Sequence, residues 1–215
     1  MRGAAFFSGG KDSVYAIMKA KEDGVPIDVL VFSVYDFPRP SPHFVNFRAV
    51  ESIAHEMGMP LVVNRMEKGK EVEMTSVLLE KLGVSDIVTG DIFTAHLQWL
   101  SEICAPLNIS YHTPLLLSGN KNSSAIILDE ITSGIRPMII HVDGSRLPKD
   151  YVGKVIDRDL AERIGKTCDP CGENGEYHTL VVGSPLMERA VSIDDSEQFS
   201  IGPHHYLRIK QFSMK

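Results

Sequence analysis

A chain of 215 residues is long enough for one large domain or two small ones with a sizeable core. Hydrophobic residues at 43% and charged residues at 23% are those of an ordinary soluble globular protein, and no apolar run approaches the roughly 18 residues that a bilayer span needs. The net charge of −6 weighs against broad nucleic-acid binding, while a local basic patch stays open. Cys104, Cys168 and Cys171 are too few and too odd for a disulfide framework and argue for a reducing cytoplasm.

In chain order, residues 3–7 read as a buried strand, and the spacing of Val14, Ile17, Met18 and Lys21 predicts a helix from residue 14. Between them lies Ser8-Gly9-Gly10-Lys11-Asp12-Ser13. A glycine pair joining a strand to a helix start lets backbone come close to a ligand and aims N–H groups at it, and the helix dipole adds positive potential there. The turn is therefore an anion site. Lys11 adds a point charge for a phosphate, Ser8 and Ser13 add hydroxyls, and Asp12 and Ser13 can cap the helix. The wording fits neither Gly-x4-Gly-Lys-Ser/Thr nor Gly-x-Gly-x-x-Gly. Because this chemistry begins at residue 8, the short apolar run after Arg2 is not expected to be a signal peptide.

A strand at 27–34 suits a buried parallel sheet, and three prolines make 35–42 irregular. A helix over 44–57 follows, with Val45, Ala49, Ile53 and Met57 on one face, then a strand at 60–63 and a charged helix over 68–82 stopped by Gly83. A strand at 86–90, a helix over 94–107 and a short strand at 111–116 complete the series. Repeated strand–helix units imply an α/β fold with a parallel sheet and helices on both faces. Ligands in such sheets bind at the carboxyl ends of the strands, where the Ser8–Ser13 turn lies and where the second strand ends at Phe32, Ser33 and Val34.

The polar stretch 118–124 is the expected boundary, giving a domain over 1–117 that carries the anion-binding turn and a smaller α/β domain over 124–215, packed over that site. The second domain should hold a helix over 124–133, a strand at 137–142, a helix over 159–164 and strand-like pieces at 180–182 and 206–212.

Two further constellations carry chemistry. Gly90-Asp91-Ile92 ends the fourth strand on the same sheet edge as the loop, where Gly90 permits close approach. Asp91 could ligate Mg²⁺ or a ribose hydroxyl, or simply cap the next helix. Downstream, Cys171-Gly172-Glu173-Asn174-Gly175-Glu176-Tyr177-His178-Thr179 packs more kinds of functional group into nine residues than a plain surface loop needs. Glu173 and Glu176 could hold Mg²⁺ or act as base or anchor for a second substrate, and His178 could be a base near neutral pH or a hydrogen-bonded structural residue. Tyr177 reads as packing. Asn174, Gly175, Tyr177 and Thr179 are counted with the second substrate. Cys168-Asp169-Pro170-Cys171 has no second cysteine pair to complete a zinc site, so its thiols read as loop-lining. Gly119-Asn120-Lys121 reads as linker, and His204-His205 as an ordinary exposed pair.

Ser8-Gly9-Gly10-Lys11-Asp12-Ser13 resembles the PP-loop of the ATP pyrophosphatase superfamily. Together with Gly90-Asp91-Ile92, Trp99-Leu100-Ser101-Glu102-Ile103-Cys104, Pro114-Leu115 and Cys171 to Thr179, it resembles the diphthine–ammonia ligase branch of that superfamily. The resemblance covers most of residues 1–187, and nothing beyond Pro185 matches. One departure is notable: the diphthamide enzymes favour Glu-Gly-Gly-Glu-Tyr/Phe-Glu-Thr, whereas Glu173-Asn174-Gly175-Glu176-Tyr177-His178-Thr179 resembles a sister group associated with other amidations, such as cobalamin salvage.

The resemblance implies adenylation of a substrate carboxylate by ATP with Mg²⁺, release of pyrophosphate, and displacement of AMP by ammonia. Ser8, Gly9, Gly10, Lys11, Asp12, Ser13, Ser33, Gly90 and Asp91 would bind the nucleotide, and Lys11, Asp12, Glu173, Glu176 and His178 would serve the chemistry. The acceptor implied is a diphthine-bearing elongation factor. No glutaminase domain is expected to fit, so free ammonia is the donor, and an oligomer is compatible with all of this. A tRNA-thiolating enzyme would share the loop and use Cys168 or Cys171 to carry sulfur, but would want a basic surface. A regulatory nucleotide binder would need neither Lys11 and Asp12 nor the second cluster.

Overall fold

The computed structural model describes residues 2–35, 38–116 and 122–215, so the expected Gly119-Asn120-Lys121 linker, within the boundary at 118–124, lies outside the described residues. The first elements are β1 (Gly3–Phe6), α1 (Lys11–Glu22), β2 (Val29–Tyr35), α2 (Pro42–Val45), α3 (Phe47–Glu56), β3 (Leu61–Met66) and α4 (Glu71–Leu82). They are followed by β4 (Asp86–Val88), a 3-10 turn at Thr94–His96, α5 (Leu97–Leu107), β5 (Ser110–His112) and α6 (Ser123–Thr132). The last are β6 (Arg136–Asp143), α7 (Arg158–Gly165), β7 (Tyr177–Gly183), β8 (Val191–Ile201) and β9 (His204–Met214). No helix among the described residues is long and apolar enough to cross a membrane.

Contacts divide the chain into two compact units. The first comprises the residues through Ser8, Asp12 to Pro38, and those from Met59 up to the 117–121 stretch; the second holds Gly9–Lys11, Arg39–Gly58 and everything from Asn122 onward.

The first unit is a parallel sheet of order β3-β2-β1-β4-β5, as the strand–helix alternation predicts. Central strands of a parallel sheet are covered on both faces, which is why Ala4, Ala5 and the run Val29 to Phe32 are apolar without alternation and fully buried. Ala4, Val29, Val31 and Ile87 share one face and pack with Leu79 of α4 and Ile103 and Cys104 of α5. Burial of each larger aliphatic side chain there contributes about 1.5–3 kcal/mol. β3 lies at the edge and leaves Val63 and Arg65 partly in water, so the strand continues past the apolar run 60–63 to Met66. Strand order reverses between β1 and β4, and the carboxyl ends of these two strands are where ligands of doubly wound sheets bind.

The second unit is built on an antiparallel sheet of order β7-β6-β9-β8, with α6 and α7 packed together. β8 was not expected. Its sequence, Val191 to Ile201, is mostly polar and solvent-facing, and only the Gly202-Pro203 turn before β9 marks it as half of a hairpin. The helix expected over 44–57 is broken at Asn46, whose backbone (φ −109°, ψ 26°) leaves the helical region. The break frees a buried amide side chain for three bonds: Asn46 Nδ2 donates to the carbonyls of Pro42 (3.0 Å) and Leu207 (2.9 Å), and Oδ1 accepts from the Ile209 amide at 2.9 Å. Glu56 at the end of α3 is bridged by two Arg189 nitrogens at 2.7 and 3.2 Å. These ties explain why residues 39–58 group with the C-terminal half.

Asn46→Ala should lower the free energy of unfolding by about 2–4 kcal/mol in urea denaturation, since it strips partners from a carbonyl and an amide of β9. A change below about 0.5 kcal/mol, the range of ordinary surface substitutions, would mean that the three bonds carry no weight.

Candidate active site

The Ser-Gly-Gly-Lys-Asp-Ser turn leaves β1 and enters α1 at Lys11, three residues before the apolar spacing begins. Asp12 and Ser13 therefore lie within the first helical turn and not at its cap, a correction to the capping expectation. Asp12 complements the dipole from there, and Ser13 Oγ accepts from the Ser8 amide at 3.3 Å and lies 3.3 Å from Ser8 Oγ. Gly9 is left-handed at φ 76° and buried. Its carbonyl accepts from Val181 N of β7 at 2.8 Å, and the Lys11 amide donates to Thr179 Oγ1 at 3.1 Å. Thr179, grouped with the second substrate from sequence, thus holds the loop.

Lys11 is 1% exposed, and its Nζ lies 3.5 Å from Glu130 Oε2 of α6 and 6.0 Å from the centre of the Tyr177 ring. The sequence reading missed Glu130. An acidic residue amid Ile126, Ile127 and Ile131 on a short apolar helix is the signal that could have found it.

In the first unit Gly90 follows β4. A Cβ there would lie 2.8–2.9 Å from backbone atoms of Asp12 and Ser13, so only glycine lets this strand end approach α1 so closely. Asp91 is bonded to the Thr89 hydroxyl and, at 2.6 Å, to His96 Nδ1 at the start of the following helix. Among the described residues no group of three or more His, Cys, Asp or Glu side chains is placed to hold a metal ion. Ser33 sits half-buried on β2, next to Phe32, which is 2% exposed.

The 171–179 segment forms a tight turn into β7. Glu176 is 1% exposed and accepts from Asn174 N (2.9 Å), Asn174 Nδ2 (3.2 Å) and Arg146 Nη1 (3.1 Å). Glu173 and Asn174 are exposed. Tyr177, buried as expected, donates its hydroxyl to the Pro170 carbonyl. Cys171 Sγ donates to the Ser123 carbonyl at 3.1 Å, and burial is the main cause pushing the Cys168 thiol above its ordinary value. Cys104, Cys168 and Cys171 form no disulfide, and Cys104 is raised by burial to about 11. Thiols so protonated are poor nucleophiles.

His178 does not stand alone. Its ring lies 5.4 Å from His43, edge-on, and 5.3 Å from His141, and His204 stacks on His141 at 5.3 Å and 16°. The reading of His204 as an ordinary exposed residue is corrected: strand pairing of β6 with β9 brings it to His141. Burial, and then the charges of His178, His204 and Arg39, push His141 down to about 3.

With this geometry in place, comparison with known proteins is decisive. A model of the diphthamide synthase N-terminal domain matches residues 1–110, and one of the diphthamide synthase C-terminal domain matches 123–214. The chain belongs to the diphthamide synthase family. The second match runs well past Pro185, where motif reading found no likeness, so the β8–β9 hairpin belongs to the family domain. Among similar proteins, diphthine–ammonia ligase of Homo sapiens is 27% identical over 100% of this chain and 93% of its own length. The Danio rerio diphthine–ammonia ligase is 28% identical over 92% of this chain and 88% of its own. A solved structure from Methanocaldococcus jannaschii, described as a predicted subunit of tRNA methyltransferase, aligns at TM-score 0.42 and 19% identity, covering 86% of this chain and 98% of that one.

The buried ion pair ties Lys11 into the fold as well as into the loop. Lys11→Met should destabilise the protein by about 3–5 kcal/mol, because it removes a cation from beside a fully buried carboxylate. Lys11→Met combined with Glu130→Gln should recover part of the loss, and a double variant no more stable than Lys11→Met alone in urea would show the pair to be uncoupled.

His141 gives a pH signature. The unfolded chain takes up a proton below about 6.5, whereas folded His141 stays neutral down to about 3, so this residue's contribution to stability is present above 6.5 and lost as pH falls. Between about pH 7 and pH 5 the wild type should lose more stability than His141→Phe by on the order of 1 kcal/mol, allowing for partial burial. Equal losses in denaturation at the two pH values would contradict it.

Proposed function

We propose that this chain is an ATP-dependent ligase that adenylates a substrate carboxylate and then exchanges AMP for ammonia to form an amide. The observation that carries this reading is the docking of Gly9–Lys11 along β7: one strand holds the phosphate loop through Thr179 and Val181 and carries the polar turn 173–178 at its start. A binder of nucleotide alone has no use for the second cluster. The names of the relatives, diphthine–ammonia ligase, supply the acceptor in this proposal: diphthine on a translation elongation factor.

A carboxylate is a poor acyl donor because oxide would have to leave. In the proposed sequence a carboxylate oxygen attacks the α-phosphorus of ATP, the bond to the β-phosphate breaks, and pyrophosphate departs into the Ser8–Ser13 turn. Hydrogen bonds to such charged oxygens are worth about 1.5–3 kcal/mol each. Lys11 shares its ammonium between these phosphates and Glu130, and the positive end of α1 adds to the field. Adenine lies by Phe32, Ser33 and Val34, and Gly90 gives the nucleotide close access to the loop. Ammonia then attacks the acyl carbon, AMP leaves with the bonding electrons, and the proton shed by nitrogen passes to Glu173 or His178. Asn174 orients the acceptor. Glu176 is assigned as a positioning residue, since Asn174 and Arg146 already occupy its carboxylate, and Tyr177 and Gly175 shape the same turn.

Among the described residues the donor set does not make a resident Mg²⁺ site, because Asp91 is engaged by Thr89 and His96; no step is assigned to a protein-held cation. The sulfur-carrier alternative is disfavoured by the buried Cys171 and partly buried Cys168, each bonded to a carbonyl. Amidation of another acceptor, such as a cobalamin-pathway compound, remains as a second reading on Asn174 and His178, the two residues that depart from the diphthamide pattern.

Incubation with ATP, ammonium and diphthine-bearing elongation factor should yield AMP, pyrophosphate and the amide, with AMP release dependent on the acceptor. ADP and phosphate as products, or nucleotide turnover indifferent to every carboxylate acceptor, would refute the reading. Glu176→Gln puts a donor against the Asn174 amide and should cut amide formation at least tenfold, about 1.4 kcal/mol, while ATP affinity stays within a few-fold. Parallel loss of ATP binding would assign the turn to the nucleotide instead.

A further inference from the structure

One face of the second sheet carries an unbroken row of rings. His178 of β7 is paired with His141 of β6, His141 with Tyr206 of β9, and Tyr206 with Phe199 of β8, so the row crosses all four strands. Ring centres are 5.3, 4.7 and 4.9 Å apart along it. His204, two residues before Tyr206 and so on the same face, lies over His141 with its Nδ1 3.2 Å from His141 Nε2. His43 of α2 meets His178 edge-on.

The centre of this group is polar where packing alone would favour an apolar side chain. His141 is 4% exposed, yet its Nδ1 has no hydrogen-bond partner among the described residues. A buried donor or acceptor left unpaired is costly, and such a group is a common mark of a ligand position. Where His204 Nδ1–H donates to Nε2, neutral His141 carries its own proton on Nδ1 and offers a donor. Two charged groups act on His141 beside the imidazoles. Arg39 bears on both His141 and Tyr206, while Asp143 is already bonded to the Ser145 amide and hydroxyl. The balance favours an anion over a cation or metal.

We propose that His141, His178, His204 and Arg39 form the binding site for the acceptor's carboxylate, a site that rests on the ligase reading above. His141 Nδ1 is the buried donor of this group, and the half-exposed His178 and His204 with the exposed Arg39 are its more accessible members. His178 precedes Thr179, whose hydroxyl holds the Lys11 amide, so the two side chains leave β7 on opposite faces and the strand itself links this site to the loop.

Arg39→Met, at an exposed position, and His141→Phe, which keeps the ring row, should each raise the KM for the acceptor at least tenfold while the KM for ATP stays unchanged. Unchanged acceptor KM in folded Arg39→Met would overturn the site even if His141→Phe fails to fold. In a second arm, titration of wild-type protein with acetate, the bare carboxylate, should shift the imidazole C–H resonances of His141 and His204, and Arg39→Met should lose the effect. Acetate that moves neither resonance refutes the site whether or not the protein is a ligase. Shifts in a protein that forms no amide support the anion site and sink the ligase reading alone.

Discussion

The outer edge of β7 has backbone groups that no strand of its sheet can satisfy, and an open sheet edge must be paired or covered. This chain covers it with the Gly-Gly turn. Gly9 accepts from Val181 and the Lys11 amide is taken by Thr179, so the turn between β1 and α1 is also an edge partner of the second sheet. The arrangement dictates several residue choices at once. Gly9 must be left-handed to present its carbonyl, residue 179 must bear a hydroxyl, and the ammonium of Lys11 enters a buried space where Glu130 meets it.

That pairing sets the electrostatics as well. An ammonium withdrawn from water holds its place only if a carboxylate or phosphate lies close by. Glu176 follows the same rule at the other end of the turn, where Asn174 and Arg146 surround a carboxylate that is almost wholly covered. Both charges that looked free to do chemistry in the linear sequence are partly committed to holding the loop and the turn. Glu173, Asn174 and His178 keep the greater access.

Elements whose signal is local were legible in the sequence. The buried strands β1 and β2, the helices ending at Gly83 and near residue 107, and the loop between β1 and α1 all follow from apolar spacing and glycine placement. What escaped depended on pairings across long separations. β8 is polar because one face meets water, so nothing in its own composition marks a strand. Asn46 reads as an ordinary polar residue of a helix until β9 supplies the carbonyl and amide it binds, 161 and 163 residues away. Glu130 looked like a surface acid on α6, and His141 was lost within an apolar strand. The site residues on the two motifs were named from sequence; the residues that surround them come from helices and strands whose partners only the fold chooses.

The ring row has an implication for how sequence change is tolerated. Its four members sit on four strands, and their alignment depends on the β8–β9 ladder being in phase with β6. Pleated strands alternate their faces, so a slip by one position turns every side chain of the hairpin over. A single insertion or deletion beside Gly202 that slips β8 against β9 would turn Phe199 away from Tyr206 while leaving every residue of the row unchanged. The geometry of the row is written partly in the spacing of a surface hairpin.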